Sequence, residues 1–266
     1  MNDIIEERHR QYIDKINELR IIDDDFMKVV FKDDDCIGHV IQTVLQEDYQ
    51  NIIDSQIEYD MKNPYGRSYR IDILAVDIEG RHINVEFQKY RQKASFKRAR
   101  RHISMIDVNM SRKKEKYHEL KDIKTIFFTE KYELGNGLPI SHINRYVDET
   151  IKKVNDGTEI IYIPVNTRDG SSLDLLKEDL LEKQARNIHS EVLRKRVEYL
   201  KASEEGQRTM CKIFEEVRED GRKEGIEENK EMVVRIMLSE GEPIEKIMKY
   251  TDSSIEKINN IKNNML

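Results

Sequence analysis

The sequence predicts an α/β fold followed by an all-helical C-terminal extension, and two differences in texture carry that prediction. Between about residues 50 and 165, short runs rich in β-branched and aromatic residues surround one long helical stretch, in the order helix, three strands, helix, strand. From about residue 171 onward the chain reads as charged helix with almost no strand signal. Residues 1–50 read as mostly helical, with Ile37, Val40, Ile41, Val44 and Leu45 at helical spacing. Strands are expected at 51–60, 68–77, 81–88, 123–129, 142–147 and 159–165, with one long helix at about 93–110. In the extension, residues 204–231 interleave both charge signs around a thin apolar stripe of Met210, Ile213, Phe214 and Val217, the pattern of a solvated spacer or a weak coiled coil. Gly221 and Gly225 weaken that helix by about 1 kcal/mol each against Ala, so a break is expected there. Three short amphipathic segments then fill 231–263, with Gly241, Pro243 and the stretch Thr251 to Ser254 as breaks and caps. The expected organisation is a core at 1–170, a helical extension with the charged spacer at 171–230, and a small helix-turn-helix-like tail at 231–266.

Length and composition narrow the class. A chain of 266 residues suffices for one sizeable domain with an appendage, or for two small ones. It contains no run of about 18 apolar residues, which excludes a membrane-spanning helix. The charged opening MNDIIEERHRQ does not read as a secretory signal. Cys36 and Cys211 lie far apart with no second Cys or His at ligand spacing, against a disulfide framework or a structural zinc site, and a reducing, cytoplasmic setting is expected. The net charge of −6 alone argues against a nucleic-acid partner, but its distribution matters more than its sum.

The most informative stretch is 68–90, SYRIDILAVDIEGRHINVEFQKY. Two alternating runs flank Asp77-Ile78-Glu79-Gly80-Arg81, and a Gly ending a three-residue loop closes a hairpin through a bulge. That loop pairs Asp77 with Arg81 and, further down the strands, Asp72 with Glu86. Opposed residues project to one sheet face with Cβ atoms about 4.5–5.5 Å apart, so two carboxylates are expected side by side. A slip of one residue would separate them. Asn84, Glu86 and Gln88 share one side of the third strand, against Ile83, Val85 and Phe87 on the other. A buried acid pair without compensation costs several kcal/mol, and hard oxygen ligands of this kind suit Mg²⁺ or Mn²⁺. The plainer alternative is that the two acids face solvent or pair with Arg70 or Arg81.

The segment that follows reverses the charge of the chain. From Phe87 to Ile106 there is no Asp or Glu, while Lys89, Arg91, Lys93, Lys97, Arg98, Arg100 and Arg101 contribute seven positive charges. On the helix, Phe96, Ala99, Ile103, Ile106 and Met110 form the stripe expected to be buried. Lys97, Arg98, Arg101 and His102 project elsewhere, where they would meet the phosphates of a DNA backbone. The alternative is a solvated face balanced by the acids Asp33 to Asp35. Metal-binding acids beside a phosphate-attracting helix are what metal-assisted phosphodiester hydrolysis requires.

A helix, strands bearing Asp72 and Glu86-Phe87-Gln88, and a basic helix together resemble the PD-(D/E)XK nuclease superfamily. More narrowly, the chain resembles the recombination-promoting nuclease and transposase-like family of bacteria, Rpn. The stretches that carry the likeness are DDDFMKVVF (23–31), GRSYRIDILAVDIEGRHINVEFQKY (66–90), KASFKRARRHISMID (93–107), GLPISHINR (137–145) and GQRTMCKIFEEVREDGRKEG (206–225). The resemblance implies a restriction-endonuclease-like mixed sheet flanked by helices. It also implies Asp72 and Glu86 as metal ligands, the carbonyl of Phe87 as a third ligand, and an additional acid on the first helix, which Asp24 or Asp25 matches. Gln88 stands where typical members of the superfamily have Lys; Gln hydrogen-bonds but carries no charge to stabilise a nucleophile. The proline of the superfamily's motif is absent, since Arg70 and Ile71 precede Asp72.

The function expected on these grounds is a Mg²⁺- or Mn²⁺-dependent endonuclease acting on double-stranded DNA, linked to recombination or mobile-element biology. The catalytic set is Asp72, Glu86 and Gln88. The Gln88 departure supports a different class, a DNA-binding or assembly module on a nuclease fold that has lost catalysis, and the charged helices admit a pure interaction scaffold. His142 reads as structural, and Asn136-Gly137 as a turn. The tail, too small for a core of its own, is expected to dock on a neighbour or to pair with a second copy, burying Ile236, Ile247 and Ile258 in a homo-oligomeric contact.

Overall fold

The computed structural model describes residues 2–46, 52–63, 68–89, 94–131 and 134–265. The chain divides into two compact units, Met1–Met210 and Cys211–Leu266. The first opens with α1 (Asn2–Glu18), α2 (Asp24–Val30) and α3 (Asp34–Leu45). The Asp33 carboxylate starts α3 by accepting from Asp35 N, and Ile37, Val40, Ile41 and Val44 are buried at the predicted spacing.

A meander of β1 (Ile52–Met61), β2 (Tyr69–Asp77) and β3 (His82–Gln88) follows. α4 (Phe96–Met110) then leads to β4 (Ile123–Thr129), which pairs parallel to β3. After β5 (Ser141–Ile143), β6 (Tyr146–Val147) and β7 (Lys152–Lys153) comes β8 (Thr158–Pro164), parallel to β4 and antiparallel to β5. The result is a six-stranded mixed sheet of order β1-β2-β3-β4-β8-β5, with β6 and β7 forming a separate two-stranded hairpin. The strand expected at 142–147 is thus two short strands in different sheets. Its middle is pulled aside: Asn144 donates to Glu159 (3.4 Å) and Arg145 reaches Asp156 and Thr158 Oγ1.

The sheet is covered on both faces. Ile83 through Gln88 of β3 are all buried, the pattern of a strand between two helical layers. On one face the Phe87 ring stacks between Phe31 and Phe128 at 5.2 Å from each centroid. On the other, Leu74 joins Ile103, Met105 and Ile106 of α4 in one apolar cluster. Of the stripe predicted for α4, Ala99, Ile103 and Ile106 are buried, whereas Phe96 lies at its outer edge against Tyr162.

Two further helices, α5 (Ser172–Leu181) and α6 (Glu191–Ala202), belong to this first unit, so it extends to Met210 and not to the expected boundary at 170. Long-range hydrogen bonds tie them in. Ile22 N donates to Leu180 O (3.1 Å) and Arg196 Nη2 to Val29 O (2.8 Å). Lys201 Nζ caps the carbonyls of Asn17, Leu19 and Lys183, and burial pushes its pKa down to about 8.

Helix α7 (Glu204–Ser239) runs 36 residues without interruption, so the break expected at Gly221 and Gly225 does not occur. Ion pairs one turn apart along it, Arg222 with Glu219, Lys223 with Asp220, Lys230 with Glu227 and Arg235 with Glu231, favour the helical conformation across the two glycines. In the second unit α8 (Ile244–Thr251) and α9 (Ile255–Asn263) complete a small core of Val234, Ile247, Ile258 and Ile261. Ile247 and Ile258 are therefore buried within their own unit, while Ile236, expected to be buried with them, is 48% exposed. Among the described residues no helix is long and apolar enough to cross a membrane.

Candidate active site

The hairpin between β2 and β3 fixes the site. Gly80 closes its loop at φ +77, a conformation that L side chains rarely adopt, and its N–H returns to Asp77 O at 2.9 Å. The buried Asp77 carboxylate accepts from Glu79 N (3.0 Å) and Arg81 N (2.9 Å) and pairs with the Arg81 guanidinium. From this loop the register runs Val76 to His82, Leu74 to Asn84 and Ile73 to Val85, as the sequence predicts. One step further, Asp72 N donates to Glu86 Oε1 (3.1 Å) and Phe87 N to Asp72 Oδ2 (2.8 Å), so the two acids interlock across the strands.

Gln88 lies two residues beyond Glu86 on the same face. Its Nε2 stands 3.4 Å from Asp72 Oδ2 and 3.1 Å from Glu86 Oε2. From α4, Arg98 reaches Glu86 Oε2 through Nη2 (3.1 Å) and Gln88 Oε1 through Nη1 (3.4 Å). His102 Nδ1 lies 3.3 Å from Glu86 Oε1. Glu86 is fully buried and has hydrogen-bonding groups at both oxygens. Among the described residues, neither Arg70 nor Arg81 forms an ion pair with the two acids. Arg70 is taken by Asp60 (2.8 Å) and Arg81 by Asp77, each an acid nearer in the sheet.

Asp72 is the strained member. Burial, then the charge of Glu86, pushes its pKa well above the ordinary carboxylate range; Asp24 adds to this, while Phe87 N–H and Arg98 oppose it. It opens onto a cavity of about 350 Å³ whose acids are Asp24, Glu58 and Asp72 and whose cations are Lys28, Arg70, Lys89 and Arg98. Phe87 and Gln88 line the same cavity. Between Asp24 and Asp25, both matched by the resemblance, only Asp24 lines this cavity. Sequence reasoning missed Glu58, Lys28 and Arg70 as wall residues. Glu58 sits between Ile57 and Tyr59, which pair with Ile73 and Ile71, so it stands across from Asp72; its φ of +55 costs about 1–3 kcal/mol for a non-glycine residue. Its ion pairs with Lys28 (3.1 Å) and Arg70 (3.5 Å) hold it there.

The basic helix separates into two faces. Ser95 caps α4 by accepting from Arg98 N (3.3 Å). Lys97 and Arg101 are exposed, with the Arg101 guanidinium 4.6 Å from the centroid of the Tyr69 ring. Arg98 turns inward, to the cavity and Glu86. His102 is a correction: it is completely buried, packed near Tyr69 and Phe127, and no DNA backbone reaches it. The helical phase that points Lys97 and Arg101 outward points Arg98 and His102 at β3. Arg91 and Lys93 lie outside the described residues. His142 Nδ1 pairs with Glu159 (3.1 Å), whose pKa is held at about 2 by that contact and by Lys124, away from this cavity. Cys36 and Cys211 are free thiols, and burial pushes Cys36 up to about 12.

Asp72 and Glu86 offer hard oxygen donors of the type a divalent cation takes. Asp72 Oδ2 and Glu86 Oε2 both point at the position of the Gln88 amide nitrogen, and the burial and the Glu86 charge that raise the Asp72 pKa are costs that a hard cation would offset. Among the described residues no three His, Cys, Asp or Glu side chains stand at metal-holding spacing, and the Gln88 amide and Arg98 hydrogen-bond to Glu86 Oε2. Comparison with family models, with curated proteins and with solved structures gives no match to this chain.

Proposed function

We propose that this protein is a metal-dependent endonuclease that hydrolyses phosphodiester bonds of double-stranded DNA, on a restriction-endonuclease-like core of the kind the Rpn resemblance implies. The observation that carries the proposal is the interlocked pair Asp72 and Glu86 at a cavity walled by cations, next to a helix that presents Lys97 and Arg101 to solvent. Asp72 and Glu86, with the carbonyl of Phe87, would hold Mg²⁺ or Mn²⁺. When bound, the ion lowers the pKa of water and offsets charge on the attacked phosphate. The chain's own residues do the rest. Lys97 and Arg101 hold the backbone by charge, Lys89 and Arg98 line the cavity that a phosphate would enter, and Gln88 fixes the two carboxylates relative to one another.

A second reading, a nuclease fold kept as a DNA-binding or assembly module, is favoured by one observation. Glu86 already has Arg98, Gln88, His102 and Asp72 N as partners, so the chain itself compensates the charge that a metal would compensate. Plasmid nicking and DNA affinity, measured together for the wild type and Glu86→Ala, separate the two. The endonuclease reading expects nicking that needs the metal and disappears in the variant. The binding-module reading expects retained affinity and no nicking in either.

A further inference from the structure

Behind Glu86 lies a buried imidazole that the proposed reaction does not use. His102 has three polar neighbours: Arg98 Nε at 3.2 Å from its Nε2, and Glu86 Oε1 (3.3 Å) and Asn84 Nδ2 (3.2 Å) at its Nδ1. Arg98 Nε–H can only donate, so His102 Nε2 must accept and carries no proton. Glu86 Oε1 already accepts from Asp72 N, and a neutral imidazole whose Nε2 accepts carries its one proton on Nδ1, facing that oxygen. The other neutral tautomer would set two N–H groups against each other at Arg98 and two lone pairs against each other at Glu86. An imidazolium would keep the first of those clashes and place two cations in contact. Only Asn84 disagrees, and its amide can turn: Asn84 Oδ1 is buried without a partner, and exchanging it with Nδ2 places an acceptor at the Nδ1 proton.

We infer that His102, as its Nδ1–H tautomer, is a positioning residue that aligns the metal-holding carboxylate and the cavity arginine in one stroke. Nδ1–H faces Glu86 Oε1 at 3.3 Å, and Nε2 anchors Arg98 Nε so that its two Nη atoms reach Glu86 Oε2 and Gln88 Oε1. This rests on the metal-site reading given above, which it deepens by linking the metal ligand to the guanidinium. The site is tight: Asn84, Glu86 and His102 are all buried, with the rings of Tyr69 and Phe127 about 6 Å from the imidazole (6.2 and 5.9 Å between centroids).

Two variants each keep half of the device. His102→Asn keeps an N–H near the Nδ1 position, toward Glu86, and loses the acceptor for Arg98. His102→Gln keeps a carbonyl near the Nε2 position, toward Arg98, and loses the donor to Glu86. Long-range ¹H–¹⁵N correlation of the full chain, with the His102 signal identified by its disappearance in His102→Gln, is expected to show a protonated Nδ1 and a bare Nε2. A proton on Nε2 overturns the proposal. Mn²⁺ affinity is then expected to fall about 10–100-fold in His102→Gln and to stay within about threefold in His102→Asn, with the melting temperature of both recorded. Losses that track melting temperature equally in the two variants would also overturn it, because a merely structural residue behaves that way. If the wild type binds no Mn²⁺, the metal-site reading fails, and the tautomer spectrum alone decides how Glu86 and Arg98 are held.

Discussion

Asp72 is where the site is least comfortable in the folded chain, and that discomfort has a sign. Burial and the neighbouring Glu86 raise its pKa on folding, so the native state keeps a proton that the unfolded chain releases. Stability therefore falls as pH rises from the ordinary carboxylate range through the raised value. Asp72→Asn removes this cost at pH 7 and keeps an acceptor for Phe87 N–H. Calorimetry should show Tm higher by about 2–4 °C, equivalent to about 1 kcal/mol, and Mn²⁺ binding abolished. The pairing of Asp72 with Glu86 was legible in the sequence because Gly80 fixes the loop, and the loop fixes the register. Their partners were not. Arg70 and Arg81 are near in sequence but have nearer acids, whereas Arg98 and His102 arrive from a helix whose rotation only packing against Leu74 and its neighbours decides.

Helix α4 shows how one amphipathic pattern serves two purposes. Lys97, Arg100 and Arg101 are exposed, whereas Arg98 lines the cavity and His102 is buried beside Glu86. Lys97→Ala and Arg101→Ala should each flatten the dependence of log DNA affinity on log salt by about one unit, read from titrations at several ionic strengths. Helix α7 makes the corresponding point about glycine. A Cβ on Gly206 would lie 2.2 Å from Tyr199 O at the close turn between α6 and α7, while nothing lies within 4 Å of a Cβ on Gly221. In denaturant titrations Gly206→Ala should destabilise by about 1–3 kcal/mol and Gly221→Ala should stabilise by about 1 kcal/mol. The charge pattern of α7 was legible. Its continuity was not, because propensity alone does not weigh the ion pairs that carry the helix through its glycines.

At the scale of the molecule, the sequence separated an α/β part from a helical part, and the structure contains both, with the dividing line moved from 170 to 210. α5 and α6 read as extension because their charge resembles that of α7; the carbonyls that Lys201 and Arg196 cap come from distant residues that periodicity cannot identify. The second unit closes a small core of its own and leaves Met232, Ile236, Tyr250 and Ile255 exposed. If self-association uses this surface, as the sequence leads one to expect, Ile236→Asp in the full chain should lower the mass measured by light scattering toward that of one chain without changing DNA cleavage per chain. The central claim concerns the first unit, that Asp72 and Glu86 form a metal-dependent hydrolytic centre. Its most direct test is plasmid nicking followed against Mg²⁺ concentration for the wild type and Asp72→Asn purified side by side. The account predicts nicking that saturates with Mg²⁺ in the wild type, stops on chelation and is absent in Asp72→Asn; nicking equal in the two proteins, or none from the wild type with either Mg²⁺ or Mn²⁺, would contradict it.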